Sequence, residues 1–211
     1  MALAELTFAR GLPGESQRRY EQAAGLAADD ALAAAALRSA AGAARSRHVG
    51  DDAFRLQLAA ADAAVRAGDP AGAAMDLAQA AEMCNRMPGL MATRRRDGQA
   101  GELIARGEAL AGGDLAAAAR LLTAEAFNGE DTDPVTAELT ERAIVLARRA
   151  GDPLTESAAL DELTSIQLAR GEIRGPAGRQ AAGRTGPGPA VPPGGGAPGH
   201  GAADRRGCPG G

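Results

Sequence analysis

The sequence predicts an all-α fold: antiparallel helical hairpins stacked as an α-solenoid, followed by a disordered C-terminal tail. Three observations predict it. The 211 residues include only three Phe, one Tyr and no Trp, and the body is rich in Ala and Leu. These are the strongest helix formers, and close packing of helices through small side chains needs no aromatic bulk. Gly-Asp and Asp-Pro pairs recur along the chain at nearly constant spacing. Beyond Arg174 the composition changes: residues 175–211 hold 13 of the 29 Gly and 7 of the 12 Pro, and Val191 is their only large aliphatic residue. Such a segment cannot bury enough apolar area to offset the entropy of ordering it.

The recurring pairs are helix junctions. Asp-Pro occurs at Asp69-Pro70, Asp133-Pro134 and Asp152-Pro153. An Asp carboxylate accepts hydrogen bonds from the free amides of a first helical turn. A following Pro lacks only an N–H that would have been unpaired there. Gly68 and Gly151 can end the preceding helices, and Gly50-Asp51 and Gly113-Asp114 repeat the phrase without Pro. Asp51 to Asp69 is 18 residues, Asp114 to Asp133 is 19, Asp133 to Asp152 is 19, and Asp152 to Glu172 is 20. Each interval fits a helix of about four turns and a short loop. Two intervals make a hairpin of about 38 residues, a period typical of helical solenoids. The 45 residues from Asp69 to Asp114 predict an irregular junction at Met87-Pro88-Gly89.

Taken in order, residues 1–14 read as an N-terminal segment, 15–174 as the helical repeat domain and 175–211 as the Gly/Pro-rich tail. Helices are predicted at 16–28, 30–47, 52–67, 70–86, 98–111, 114–127, 134–150 and 153–170. Apolar spacing supports three of them directly. Phe54, Leu58, Ala61 and Val65 form one stripe, Val135, Leu139, Ala143, Leu146 and Ala150 a second, and Ala159, Leu163 and Ile166 a third.

The net charge is −4. Four Arg against Asp204 give the tail +3, which leaves the body at −7. An acidic body has no general electrostatic drive towards nucleic acid. All 23 basic residues are Arg, a bias that matches GC-rich codon usage. Cys84 and Cys208 make no disulfide framework, which fits a reduced compartment. Met1 to Arg10 carries Glu5 and lacks the apolar run of a signal peptide. No segment approaches the roughly 20 apolar residues of a membrane span. A cytoplasmic location is expected.

The motifs that could carry chemistry have structural explanations. Gly112-Gly113-Asp114 lacks the Gly-Lys-Ser/Thr of a phosphate loop, and the chain has no Lys; it reads as a helix stop followed by a helix start. His48 is expected at a helix end, where an imidazolium suits the dipole, and two His are too few for a metal cluster or triad. Cys84 is expected to be a small core residue. Asn128 to Asp133 resembles a calcium loop only superficially, because its sixth position is Asp133 and its twelfth Leu139. It reads as an acidic loop with Asp133 as N-cap. Arg94-Arg95-Arg96 is the densest basic run and is expected to be a solvated loop or helix edge, contact with phosphates or with an acidic partner surface being the other readings. No catalytic, cofactor-binding or metal-ligating residue can therefore be named, no cofactor is expected, and the binding residues are unknown from sequence.

A family resemblance rests on the junction phrases. Arg45-Ser46-Arg47-His48-Val49-Gly50-Asp51-Asp52-Ala53-Phe54-Arg55-Leu56 leads into Ala63-Ala64-Val65-Arg66-Ala67-Gly68-Asp69-Pro70-Ala71-Gly72-Ala73-Ala74. A second hairpin contains Leu146-Ala147-Arg148-Arg149-Ala150-Gly151-Asp152-Pro153 and Leu168-Ala169-Arg170-Gly171-Glu172. Together they resemble the tetratricopeptide-like region of large actinobacterial LuxR-type transcriptional regulators, over about residues 15–172. Those proteins place an ATP-binding module before the solenoid and a helix-turn-helix after it. Neither motif is present here, so the resemblance carries over no ATPase or DNA-binding residue. It implies a non-catalytic interaction or ligand-sensing module, with a protein or peptide partner filling a concave face of stacked hairpins. No membrane contact and no direct DNA binding are expected, and self-association through an uncapped last hairpin is. The alternatives are a truncated or frameshifted product without independent function, with the tail as out-of-frame translation rather than a native linker, and an enzyme with a cryptic helical active site. The enzyme would require carboxylates or His converging inside the solenoid.

Overall fold

A computed structural model describes residues 1–172. They form nine α-helices: α1 (Ala2–Ala9), α2 (Pro13–Gly25), α3 (Asp30–Ser46), α4 (Gly50–Arg66), α5 (Pro70–Arg86), α6 (Gln99–Ala111), α7 (Leu115–Ala126), α8 (Pro134–Ala150) and α9 (Pro153–Ala169). A single 3-10 turn, Pro88–Leu90, follows α5. No strand occurs among the described residues. Most of the connections are too short for anything but antiparallel neighbours. Each helix packs on the next, and α5 also packs on α7 and α7 on α9. The fold is all-helical with stacked neighbouring helices. The disorder expected of residues 175–211 falls outside the described residues.

The Asp caps are where the sequence places them. Asp69 accepts from the Gly72 amide at 2.8 Å and Asp133 from the Val135 amide at 2.9 Å. Asp152 accepts from the amides of Leu154 and Thr155 at 3.2 and 3.1 Å and from the Thr155 hydroxyl at 2.6 Å. Asp29 and Asp114 cap α3 and α7 in the same way, through Leu32 and Ala117. The irregular junction predicted near Met87 is real: the chain leaves α5 at Arg86 and does not re-enter a helix until Gln99.

Four readings need correction. Residues 1–14 are not a separate segment, because α1 packs on α2 and α2 begins at Pro13 rather than 16. Tertiary contact holds α1: Ala4 and Thr7 are buried, and the Ser16 hydroxyl donates to the Ala4 carbonyl at 2.8 Å. Gly50-Asp51 is not a stop followed by a cap. His48 takes the left-handed turn residue's role at φ 58°, and Gly50 is the first residue of α4. A Cβ on Gly50 would stand 2.6 Å from the Leu90 carbonyl oxygen, so glycine is needed there for close approach of the 3-10 turn. Asp51, freed from capping, accepts from the amides of Ala92 and Thr93 at 2.9 and 3.1 Å and ties down the α5–α6 connection.

The stripes on α4 and α8 are also shifted. Phe54 and Ala61 are buried as expected, but Val65 is exposed. On α8 the buried face is Thr136, Thr140, Ala143, Ile144 and Ala147, while Val135 is 56 % exposed. The Thr140 hydroxyl donates to the Thr136 carbonyl at 2.7 Å, so the side chain hides its polarity within its own helix and packs like a small apolar group.

The main core lies between α2 and α7. Ala40, Ala41, Ala44, Ala53, Ala61, Ala74, Ala78 and Ala80 surround Leu56, Leu77 and Met83. Small residues let the helices approach, and the few large ones fill what remains.

Candidate functional site

Within this alanine-packed body one set of polar side chains gathers in a groove of about 510 Å³. Its floor is α5 and its sides are α3, α4, α7 and the start of α9. Arg38 and Arg45 come from α3, Gln57 from α4, Asp76 and Gln79 from α5, Arg120 from α7, and Asp152, Leu154 and Thr155 from the α8–α9 junction. Asp76, Gln79 and Glu82 recur at three-residue spacing along α5, which puts them on one face.

Two ion pairs cross the groove. The Arg38 Nε donates to both oxygens of Asp76 at 2.8 Å, and the Gln57 amide donates to Asp76 Oδ1 at 2.7 Å. Arg38 also reaches Asp69 at 3.7 Å, so one guanidinium joins the α5 cap to the turns above it. Burial raises the Asp76 carboxyl above its ordinary value even though Arg38 and Gln57 pull it down. The second pair is Arg120 with Glu82 at 2.7 Å, both almost wholly covered. Burial raises Glu82 too, against the pull of Arg120, Arg86 and Arg45.

Gln79 lies between these pairs. With its amide oriented to satisfy both neighbours, its oxygen accepts from Arg45 Nη1 at 2.9 Å and from Arg120 Nη2 at 3.2 Å. Arg45 has no salt bridge among the described residues. Burial, and after it the charge of Arg120, lowers its guanidinium below the ordinary value, with Glu82 offsetting part of the effect.

Asp152 was expected as a helix cap and Arg45 within a junction phrase, but none of these residues was expected at a binding site, although a signal for them exists. Arg38 and Asp76 are 38 residues apart, as are Glu82 and Arg120. That is one hairpin period, so equivalent faces of successive hairpins carry opposite charges. The residues that were singled out lie elsewhere. Arg95 folds onto the Phe54 ring at 4.6 Å and pairs with Asp51, Arg96 pairs with Glu102, and Arg94 lies 3.8 Å from Asp97. The triplet is thus divided among three acids rather than presented as one basic patch. Cys84 is half-buried, its thiol donates to the Ala80 carbonyl at 3.5 Å, and burial pushes it up. His48 is exposed in its turn. Among the described residues no group of three or more His, Cys, Asp or Glu is placed to hold a metal ion, and no helix is long and apolar enough to cross a membrane. No family model matches the chain, and neither a curated protein nor a solved structure does.

Proposed function

We propose that the chain is a non-catalytic helical-repeat module that binds a protein or peptide partner in the groove between α3, α5 and α7. The observation that carries this reading is the gathering of charged side chains from α3, α5, α7 and the α8–α9 junction in one concave place. Surface charges need not converge, and a few convergent polar groups in a concave place are what a binding site presents. The non-catalytic part is supported by how the acids are engaged. Asp76 is held by Arg38 and Gln57, Glu82 by Arg120, and Asp152 by its own helix amides. A place within a regulator of the LuxR type remains part of the proposal on the junction phrases alone.

The test is selection of binding peptides from a displayed library against the full chain. Peptides seated in the groove should lose about tenfold or more in affinity to Met75→Trp and Leu154→Arg, which fill and recharge its lining. A selection yielding only peptides indifferent to both variants would refute the groove as the binding face.

A further inference from the structure

We propose that the Arg45–Arg120 end of the groove is a site for a single carboxylate group, contributed by a peptide partner or a small organic acid. The inference rests on reading the groove as the binding face and adds the chemistry it selects. Two guanidiniums converge on one neutral acceptor, the Gln79 oxygen, at 2.9 and 3.2 Å. Within salt-bridge distance they have one carboxylate, Glu82, and it is bound to Arg120. Arg45 lines the groove and makes no salt bridge among the described residues. A planar carboxylate accepts bidentate bonds from such donors and brings the opposite charge that the Gln79 oxygen lacks.

The charge balance sets the size of the anion. Arg38, Arg45 and Arg120 stand against Asp76 and Asp152 in the lining, with Glu82 paired to Arg120 and Asp69 to Arg38, three positive and four negative. Within salt-bridge distance Arg45 and Arg120 exceed Glu82 by one charge, but across the whole groove there is no positive excess. A group with one negative charge is favoured at the arginine pair, and a polyphosphate would meet Asp152 and Asp76. The groove's 510 Å³ accommodates a small organic acid or the end of a peptide.

Sodium acetate is the probe, titrated into the full chain at ionic strength held constant with sodium chloride. The Nε–Hε nuclear magnetic resonance signals of Arg45 and Arg120 should shift saturably, and Arg45→Gln should weaken the response about tenfold or more. Equal shifts with chloride alone overturn the site. So does inorganic phosphate acting at tenfold lower concentration than acetate, because it would reverse the charge preference. Gln79→Glu gives an answer even where Arg45→Gln folds poorly. Its carboxylate would sit between the two arginines, raise the melting temperature by about 2–4 °C and abolish the acetate response. If no anion site exists, Gln79→Glu adds a third acid beside Asp76 and Glu82 on α5 and melts lower, which overturns the proposal. Groove-seated peptides that lack any acid and still bind, together with silence towards acetate, would overturn the carboxylate site while leaving the binding face intact. Groove-bound peptides that lose affinity on amidation of a free C-terminus would support it and name the peptide terminus as the source.

Discussion

The block α3–α5 and the hairpin α8–α9 are built from helices of the same length, 17 residues each, yet they use side-chain size in opposite ways. In α3–α5 the buried residues are mostly Ala, with Phe54, Leu56, Leu77 and Met83 fully enclosed among them. In α8–α9 the buried hydrophobics are Ala143, Ile144, Ala147, Ala159 and Ile166, while Val135, Val145, Leu154, Leu160 and Leu168 are exposed. The difference lies in neighbours. Helix α4 is packed between α3 and α5, whereas α9 leans on α8 and, more lightly, on α7. A large apolar residue has value only where a second surface meets it. The block should therefore respond strongly to changes in side-chain volume and the hairpin weakly.

Truncation tests that contrast most directly. Leu77 is fully buried, and Leu77→Ala removes its contacts and leaves a cavity in a core whose neighbours are too small to collapse into it, at a cost of about 2–5 kcal/mol. Val145 is 54 % exposed on α8, and Val145→Ala should change stability by no more than about 0.5 kcal/mol. Urea unfolding of both variants decides the matter. Equal midpoint shifts would mean that the hairpin is as tightly packed as the block.

The caps sharpen the comparison at the next magnitude. Asp69, before α5, accepts from one amide, and Asp152, before α9, accepts from two amides and a hydroxyl. Either replaced by Ala should cost about 0.5–2 kcal/mol, with Asp152→Ala the larger. Burial by itself would raise the Asp152 carboxyl, but the bonds from the Thr155 side chain and the amides of Thr155 and Leu154 outweigh it and hold the group below its ordinary value. A depressed carboxyl contributes stability above its unfolded-state value and loses it as pH falls through the folded one. The Asp152→Ala penalty should therefore be full near neutrality and shrink in acid. Thermal melts from pH 7 to pH 3 that show a constant penalty would rule the assignment out.

Local chemistry was what could be read in advance. Asp69, Asp133 and Asp152 cap helices because Asp-Pro is nearly self-sufficient as a signal, needing only the three residues that follow. Whatever depended on partners was hidden. The short helix α1 exists because Ser16 and the face of α2 hold it. Thr136 and Thr140 are buried on α8 while Val135 is exposed, and the Thr140 hydroxyl, satisfied within its own helix, packs like a methyl group, which no hydrophobicity pattern registers. The groove residues stayed invisible for a third reason. Arg38, Asp76, Glu82 and Arg120 are ordinary surface types singly, and only their separation by one hairpin period brings them together.

The smallest expected effect concerns the turns that join each pair of helices. Gly151 ends α8 at φ 67°, while His48 holds the equivalent left-handed place after α3 at φ 58°. Left-handed backbone costs a residue with a Cβ about 1–2 kcal/mol. Glycine avoids that cost, but it loses about 0.5–1 kcal/mol more in conformational freedom on folding. His48 is exposed, so its removal sacrifices little packing. The difference leaves His48→Gly more stable by about 0.5–1 kcal/mol, and Gly151→Ala less stable by a similar amount. The two changes should thus move the melting temperature in opposite directions although both exchange glycine with a larger residue at a helix end. A destabilised His48→Gly variant would show that the imidazole, and not the backbone alone, holds the α3–α4 turn. The left-handed residue there would then be selected for its side chain rather than tolerated despite it.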